Sequence, residues 1–236
     1  MSKQEKGGMR SAFHYIVEFA VILLGITVSV TIEKNNAHQY KESVKNQSLS
    51  RILTNIQTDS LDFEFNIAVH APASASCAWI TEQRSTFAEQ HPDSIGKHCS
   101  MCLMAQTVFV DNQEEYRTLQ NSGLMELIEN DTLARALQSK YVQHEFLRKI
   151  ESVIAEMAKS QEEFYFQNMT STDSMEPFMG YVKLRTWNGT APDNAFFERC
   201  SDIGFWHRSY ADRMDRRMGY DARLTQWIRD EIGIIE

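Results

Sequence analysis

From Ser11 to Ile32 the chain holds twenty-two consecutive residues with one formal charge, Glu18, and polar sequence on either side. A helix of that length rises about 33 Å, against a hydrocarbon core of about 30 Å, and in lipid its backbone groups must be satisfied within the segment. The pattern predicts a single transmembrane helix over 11–32 behind a short basic tail over 1–10 that carries Lys3, Lys6 and Arg10. A cleaved signal peptide has a shorter apolar core and a small-x-small cleavage site. Here Glu18 interrupts the run and no such site follows, so an uncleaved anchor is the expectation.

Beyond the anchor the apolar positions fall at helical spacing. Leu49, Ile52, Leu53, Ile56, Phe63 and Ile67 predict a helix over 36–70, and nothing between Ile32 and this stripe breaks it, so the anchor is expected to continue as a stalk. Pro72 predicts a break, with a second helix over 73–90 ended by His91-Pro92 and a loop over 93–104. Asp111 and Glu114 have the spacing of a capping box and predict a helix over 112–121. It is followed by a turn at Ser122-Gly123 and a short helix over 124–129. Asn130-Asp131 then caps a long helix over 132–167, and a last one covers 194–232. Between these two, Asn168 to Asp193 is a long polar connection containing Met179, Tyr181 and Trp187. The expected class is all-α: one N-terminal transmembrane helix continuing into a stalk and an antiparallel helical bundle, with 33–236 as one extramembrane domain.

Charge adds an exclusion. The net charge is −8, and Lys and Arg are scattered along the sequence, which argues against nucleic acid as a partner. Within the span, Glu18, Ile22, Gly25 and Ser29 are spaced to share one helix face. Gly25 and Ser29 form a small-xxx-small pair that lets a second backbone approach, and a carboxylate at membrane depth calls for a partner. Alternatively, Glu18 lies near the cytoplasmic end and reaches the headgroups. Basic residues flank both ends of the span, so orientation rests on the long C-terminal domain being exported: N-terminus in the cytoplasm, domain in the periplasm.

Candidate chemistry is sparse. Cys77, Cys99, Cys102 and Cys200 would tend to pair outside the cytoplasm, with Cys77 bridged to Cys99 or Cys102. His98, Cys99 and Cys102, completed by His91 or Cys77, have the residue types of half a zinc site. A Cys-x-x-Cys redox centre is a third reading, without the βαβ pattern that normally carries it. No phosphate-binding glycine loop, zinc-protease motif or serine elbow is present, no Glu-x-x-His di-iron pair occurs, and no cofactor is implied. Trp187, Trp206 and Trp227 with Tyr181, Tyr210 and Tyr220 either line a ligand pocket or pack the core.

Two stretches carry a resemblance. Glu18-Phe-Ala-Val-Ile-Leu-Leu-Gly25-Ile-Thr-Val-Ser29 runs straight into a charged stalk, and Tyr116-x-x-Leu119-x-x-Ser122-Gly123 leads into Leu127, Ile128, Asn130 and Leu133. Together they resemble a bacterial single-pass membrane family, domain of unknown function 6090. Members usually place a Trp just after the span, whereas Ile32-Glu-Lys-Asn-Asn36 has none. The resemblance implies a bacterial inner-membrane protein and no activity or catalytic residue. The expectation is thus a membrane-anchored interaction module acting as a homo-oligomer or as an accessory subunit of an unidentified membrane protein. A ligand or stress sensor is the alternative, and a metal or redox protein comes third.

Overall fold

The computed structural model describes residues 5–171 and 182–234. Among the described residues the elements are six α-helices, two 3₁₀ turns and one small ladder of two strands. Helix α1 (Glu5–Glu82) is 78 residues long, about 117 Å at the usual rise. From His14 to Lys41 every residue is exposed. Its most apolar window has a mean hydropathy of 2.2 and none of it is buried, so by length and composition the segment suffices to cross a membrane.

From Lys45 the same helix changes character. Buried positions recur at alternating intervals of four and three residues as far as Ile80, which is the seam of a helix packed along its length. Helix α6 (Asn194–Ile232) answers with the same alternation from Cys200 to Ile228. It runs back along α1, with the Gly204 carbonyl opposite Ser74 and Glu231 opposite Lys45. At Gly204 the helices touch so closely that a Cβ would lie 2.8 Å from that of Cys77. Helix α4 (Asp131–Ser160) packs on α6, capped by the Asn130 side chain, which accepts from the N–H groups of Thr132 and Leu133.

Several sequence expectations change. The helix does not break at Pro72. Pro lacks the N–H that would bond Ala68, yet Val69, His70, Ala73 and Ser74 are all buried, and packing on both sides of the proline holds the helix through it. Helix α1 therefore ends at Glu82, and no separate helix covers 73–90; a 3₁₀ turn (Phe87–Glu89) follows. Residues 93–104, expected as loop, form most of α2 (Pro92–Met104). Pro92 opens this helix, where its missing N–H is harmless, and His91 Nδ1 accepts the Asp93 N–H as its cap.

Helix α3 (Glu114–Asn121) starts without an Asp111 cap, because the Asp111 carboxylate is drawn inward by His144 and Arg148; the Asn112 side chain accepts the Glu114 N–H instead. Gly123 then takes φ 70°, which suits a residue without Cβ, and the second 3₁₀ turn is Leu124–Leu127. The long helix expected over 132–167 divides at Gln161 into α4 and α5 (Glu162–Asn168). Strands β1 (Met169–Ser171) and β2 (Arg185–Trp187) pair antiparallel, with Met169 opposite Trp187, so the Asn168–Asp193 connection is not purely irregular and the chain is not strictly all-α. Met179 and Tyr181 lie outside the described residues.

Replacing Pro72 with Ala restores an N–H to a helix that is already continuous. The expected result is an unfolding free energy higher by about 1–3 kcal/mol, read from urea titration in detergent. A helix that really ended at Pro72 would gain nothing.

Candidate functional site

Between α1, α4 and α6 the core alternates between apolar and polar layers. One apolar layer holds Leu49, Ile52, Ile56, Leu133, Leu137 and Leu224. A second holds Phe63, Phe109, Leu147, Ile150 and Met214, and the far end is closed by Cys77, Ile80, Cys200 and Ile203. Two polar layers separate them, built at seam positions that the apolar pattern alone does not reveal. Asp59, Asn66 and His70 continue the four–three spacing on α1, and His207, Arg217 and Asp221 do so on α6.

The lower polar layer centres on Lys140, which is 0 % exposed. Its ammonium lies 2.7 Å from Asp59, 2.8 Å from Asp221 and 3.2 Å from His144 Nε2. The contacts to Asp221 and His144 are hydrogen bonds, and the one to Asp59 is an ion pair. Asp221 also receives both Nε and Nη2 of Arg217 at 2.8 and 2.6 Å. His144 Nδ1 faces Asp111 at 2.8 Å, and the other oxygen of Asp111 takes Arg148 at 2.7 Å. Burial, together with the Lys140 ammonium, outweighs Asp111 and lowers the His144 pKa, and Nε2 carries no proton because it faces an ammonium that can only donate. Its tautomer follows: Nδ1–H donates to Asp111 and Nε2 accepts from Lys140. Burial would raise Asp111, but His144 and Arg148 outweigh it and hold the carboxyl below its ordinary range. Burial does raise Asp59, beyond what Lys140 recovers. With Asp59, Asp111 and Asp221 set against Lys140, Arg148 and Arg217, the formal charges of the layer cancel.

The upper layer holds His70 and His207, Nδ1 to Nδ1 at 2.7 Å. His207 Nε2 points to the Cys102 carbonyl at 3.3 Å and must donate, so its Nδ1 accepts from His70. His70 Nε2 then carries no hydrogen and lies 2.7 Å from the Thr107 hydroxyl, whose single O–H donates to Asn66 Oδ1. Tyr210 reaches Asn66 and donates to Glu151, whose carboxylate also accepts the Phe109 N–H. Burial pushes His70 down to about 3 and His207 to about 4, so both are neutral at pH 7.

The residues singled out from sequence are dispersed. Glu18, Ile22, Gly25 and Ser29 share the exposed part of α1, and a Cβ on Gly25 would meet nothing within 4 Å. Ser122 and Gly123 form the corner between α3 and the 3₁₀ turn, above the buried Leu124 and Ile128. Cys77 and Cys102 are joined in a disulfide. Cys99 and Cys200 are buried free thiols, both raised by burial, Cys200 to about 12. The zinc reading of His98, Cys99 and Cys102 therefore loses its third ligand to the bridge. His98 stacks on Trp79 at 4.1 Å and contacts Ser76, and no group of three metal-binding side chains occurs among the described residues. The aromatic set is likewise not one pocket. Trp187 and Tyr210 belong to different layers, while Tyr220 and Trp227 line a cleft of arginines between α4 and α6.

Lys140→Met leaves Asp59 and Asp221 buried without their cation and is expected to lower stability by about 3–5 kcal/mol in a urea titration at pH 7. The upper layer sets the acid limit. Below pH 6.5 the unfolded chain protonates His70 and His207 while the folded one does not. Stability should then fall by up to about 1.4 kcal/mol per pH unit for each ring until the depressed folded values are reached. Titrations at pH 7 and pH 5 check this, and His207→Gln should show about half the difference. Compared with protein-family models, with curated proteins and with solved structures, the chain finds no match.

Proposed function

We propose that the chain is a single-pass membrane protein whose helical domain is presented outside the cytoplasm and which works by association, with itself or as an accessory subunit of a membrane partner. The observation that carries this reading is the division of α1 into two unlike parts. Its extramembrane part is packed on α6, α2 and α3, whereas from His14 to Lys41 it is exposed on every side. Insertion in a bilayer satisfies the apolar side chains but not Glu18, because a carboxylate at that depth is unfavourable by a few kcal/mol unless it is paired or turned to protein. Gly25 and Ser29, on the same face, leave room for a second helix to approach and cover it.

On this reading α1, α4 and α6 form an antiparallel bundle held out from the bilayer of a bacterial inner membrane, with the N-terminus cytoplasmic. The Cys77–Cys102 disulfide supports a periplasmic domain, since such bridges persist in oxidising compartments. Membership of the single-pass family that residues 18–29 and 116–133 resemble belongs to the same proposal. A second reading, a ligand sensor that signals through a partner, is favoured by the arginine cleft between α4 and α6.

Glu18→Gln and Gly25→Leu test the association. Each is expected to weaken the complex by about tenfold, the equivalent of about 1.4 kcal/mol, in crosslinking or detergent sedimentation of protein from native membranes. Full assembly in both variants would take this face out of the mechanism.

A further inference from the structure

The acidic chain gathers an arginine-lined groove that its sequence shows only as scattered charge. On α6, Ser209, Arg213, Arg216, Tyr220, Arg223 and Trp227 follow one another at intervals of four and three, so they form a stripe beside the buried seam. Thr132, Ala136, Ser139, Gln143 and Phe146 form the facing stripe on α4. Neither contains an Asp or a Glu, although the chain has 32 of them. Between the stripes lies a cavity of about 400 Å³ lined by Ser139, Gln143, Arg213, Arg216, Arg217 and Tyr220. A second, of about 360 Å³, shares Ser139, Arg217 and Tyr220 with it and adds Arg135, Arg223 and Trp227.

Arg217 forms the floor and is committed to Asp221. Among the described residues no carboxylate pairs with Arg135, Arg213, Arg216 or Arg223. Two of these guanidinium groups are laid on rings, Arg213 at 4.5 Å from the Phe146 centroid and Arg223 at 4.7 Å from that of Tyr220. Such stacking holds a guanidinium in place while leaving its N–H fork free for an oxyanion. Arg135 and Arg216 each give Nε–H to a backbone carbonyl, of Asp131 and Asp212, which leaves their charge uncompensated. Four cations without a carboxylate in one groove suit a ligand with several negative charges, and the tetrahedral oxygens of phosphate match the arginine fork.

We propose that the α4–α6 groove binds a small phosphorylated molecule. Arg213, Arg216 and Arg223 hold the phosphate oxygens, and the Tyr220 and Trp227 faces take its organic part. The ligand is a soluble one. Asp59, in the layer beneath the groove, lies twenty-seven residues past Ile32, about 40 Å along α1 and well outside the headgroup zone of a bilayer holding residues 11–32. The site stands on the domain's own residues and is independent of how the N-terminal helix associates.

The test uses the full chain in a neutral detergent, with inorganic pyrophosphate as probe, by titration calorimetry and thermal shift at low ionic strength. Saturable one-to-one binding that raises the melting temperature is expected. The doubly substituted Arg213→Gln, Arg216→Gln chain should bind at least tenfold more weakly, while Lys149→Gln, a charge removed from exposed α4 surface, leaves affinity unchanged. Both Arg positions are exposed, and an unaltered circular dichroism spectrum and ligand-free melting temperature verify that the variant folds. Arg223→Gln supplies a second variant. Absence of saturable binding, or equal binding by the Arg variants, overturns the proposal. Tighter binding of citrate than of pyrophosphate overturns the phosphate class. Competition by phosphatidylglycerol in mixed micelles at pyrophosphate-like affinity overturns the soluble ligand in favour of a lipid.

Discussion

The ammonium of Lys140 is the contact on which the rest of the domain depends. It stands on α4, hydrogen-bonded to Asp221 of α6 and His144 of its own helix and ion-paired with Asp59 of α1. Desolvating one cation and two carboxylates offsets much of their attraction, so the layer adds less stability than apolar side chains of the same volume would. Its effect is on alignment. Sliding α1 by seven residues either way would keep apolar seams in contact but put Ile52 or Asn66 where Asp59 belongs. Sliding α6 would bring Met214 or Ile228 to the place of Asp221. Every such slip strands a buried charge, and the regular seams, which tolerate several registers on hydrophobic grounds, are restricted to one.

The upper layer repeats the device without formal charge on its imidazoles. His70 and His207 pass a directed pair of hydrogen bonds to the Cys102 carbonyl. That carbonyl belongs to a residue bridged to Cys77, itself one helical turn and a half beyond the proline in α1. The disulfide and the histidine pair therefore fasten α2 to the α1–α6 pair from two sides. In consequence α2 can stay helical although its sequence has few long apolar side chains.

What could be read from the sequence was the apolar part of this design. Leu49, Ile52, Ile56 and Phe63 mark the α1 seam because apolar spacing is visible without a structure. Helix α6, expected over 194–232, has those bounds, with Asp193 as its cap and Gly233 in the left-handed conformation after it. Asp59, Asn66, His70, His207 and Asp221 escaped because a polar residue in a periodic stripe is ordinarily assigned to solvent. The recoverable signal was the unbroken four–three interval running through them. Pro72 and residues 93–104 were misread for a related reason. Local preference opposed a helix there, and the packing that outweighed it involves α6 and β2, far away in sequence. The arginine groove was hidden too: residues 213, 216 and 223 share one face of α6, and only the packing of α4 beside it makes that face the wall of a groove.

Helix α1 joins the apolar segment to the polar layers with no turn, gap or glycine pair between Ile32 and Asp59, so it behaves as a torsion bar. Axial rotation imposed on one end has no joint in which to dissipate. A carboxylate about 6 Å from the helix axis moves about 3 Å when that helix turns by about 30°. This equals the whole length of the 2.7 Å contact between Asp59 and Lys140. A twist too small to alter the outline of the domain would thus leave Lys140 short of one anion and disturb Arg217 through Asp221 at the groove floor. Angular position of the N-terminal segment and electrostatics of the distant cleft are in this way tied to a single degree of freedom.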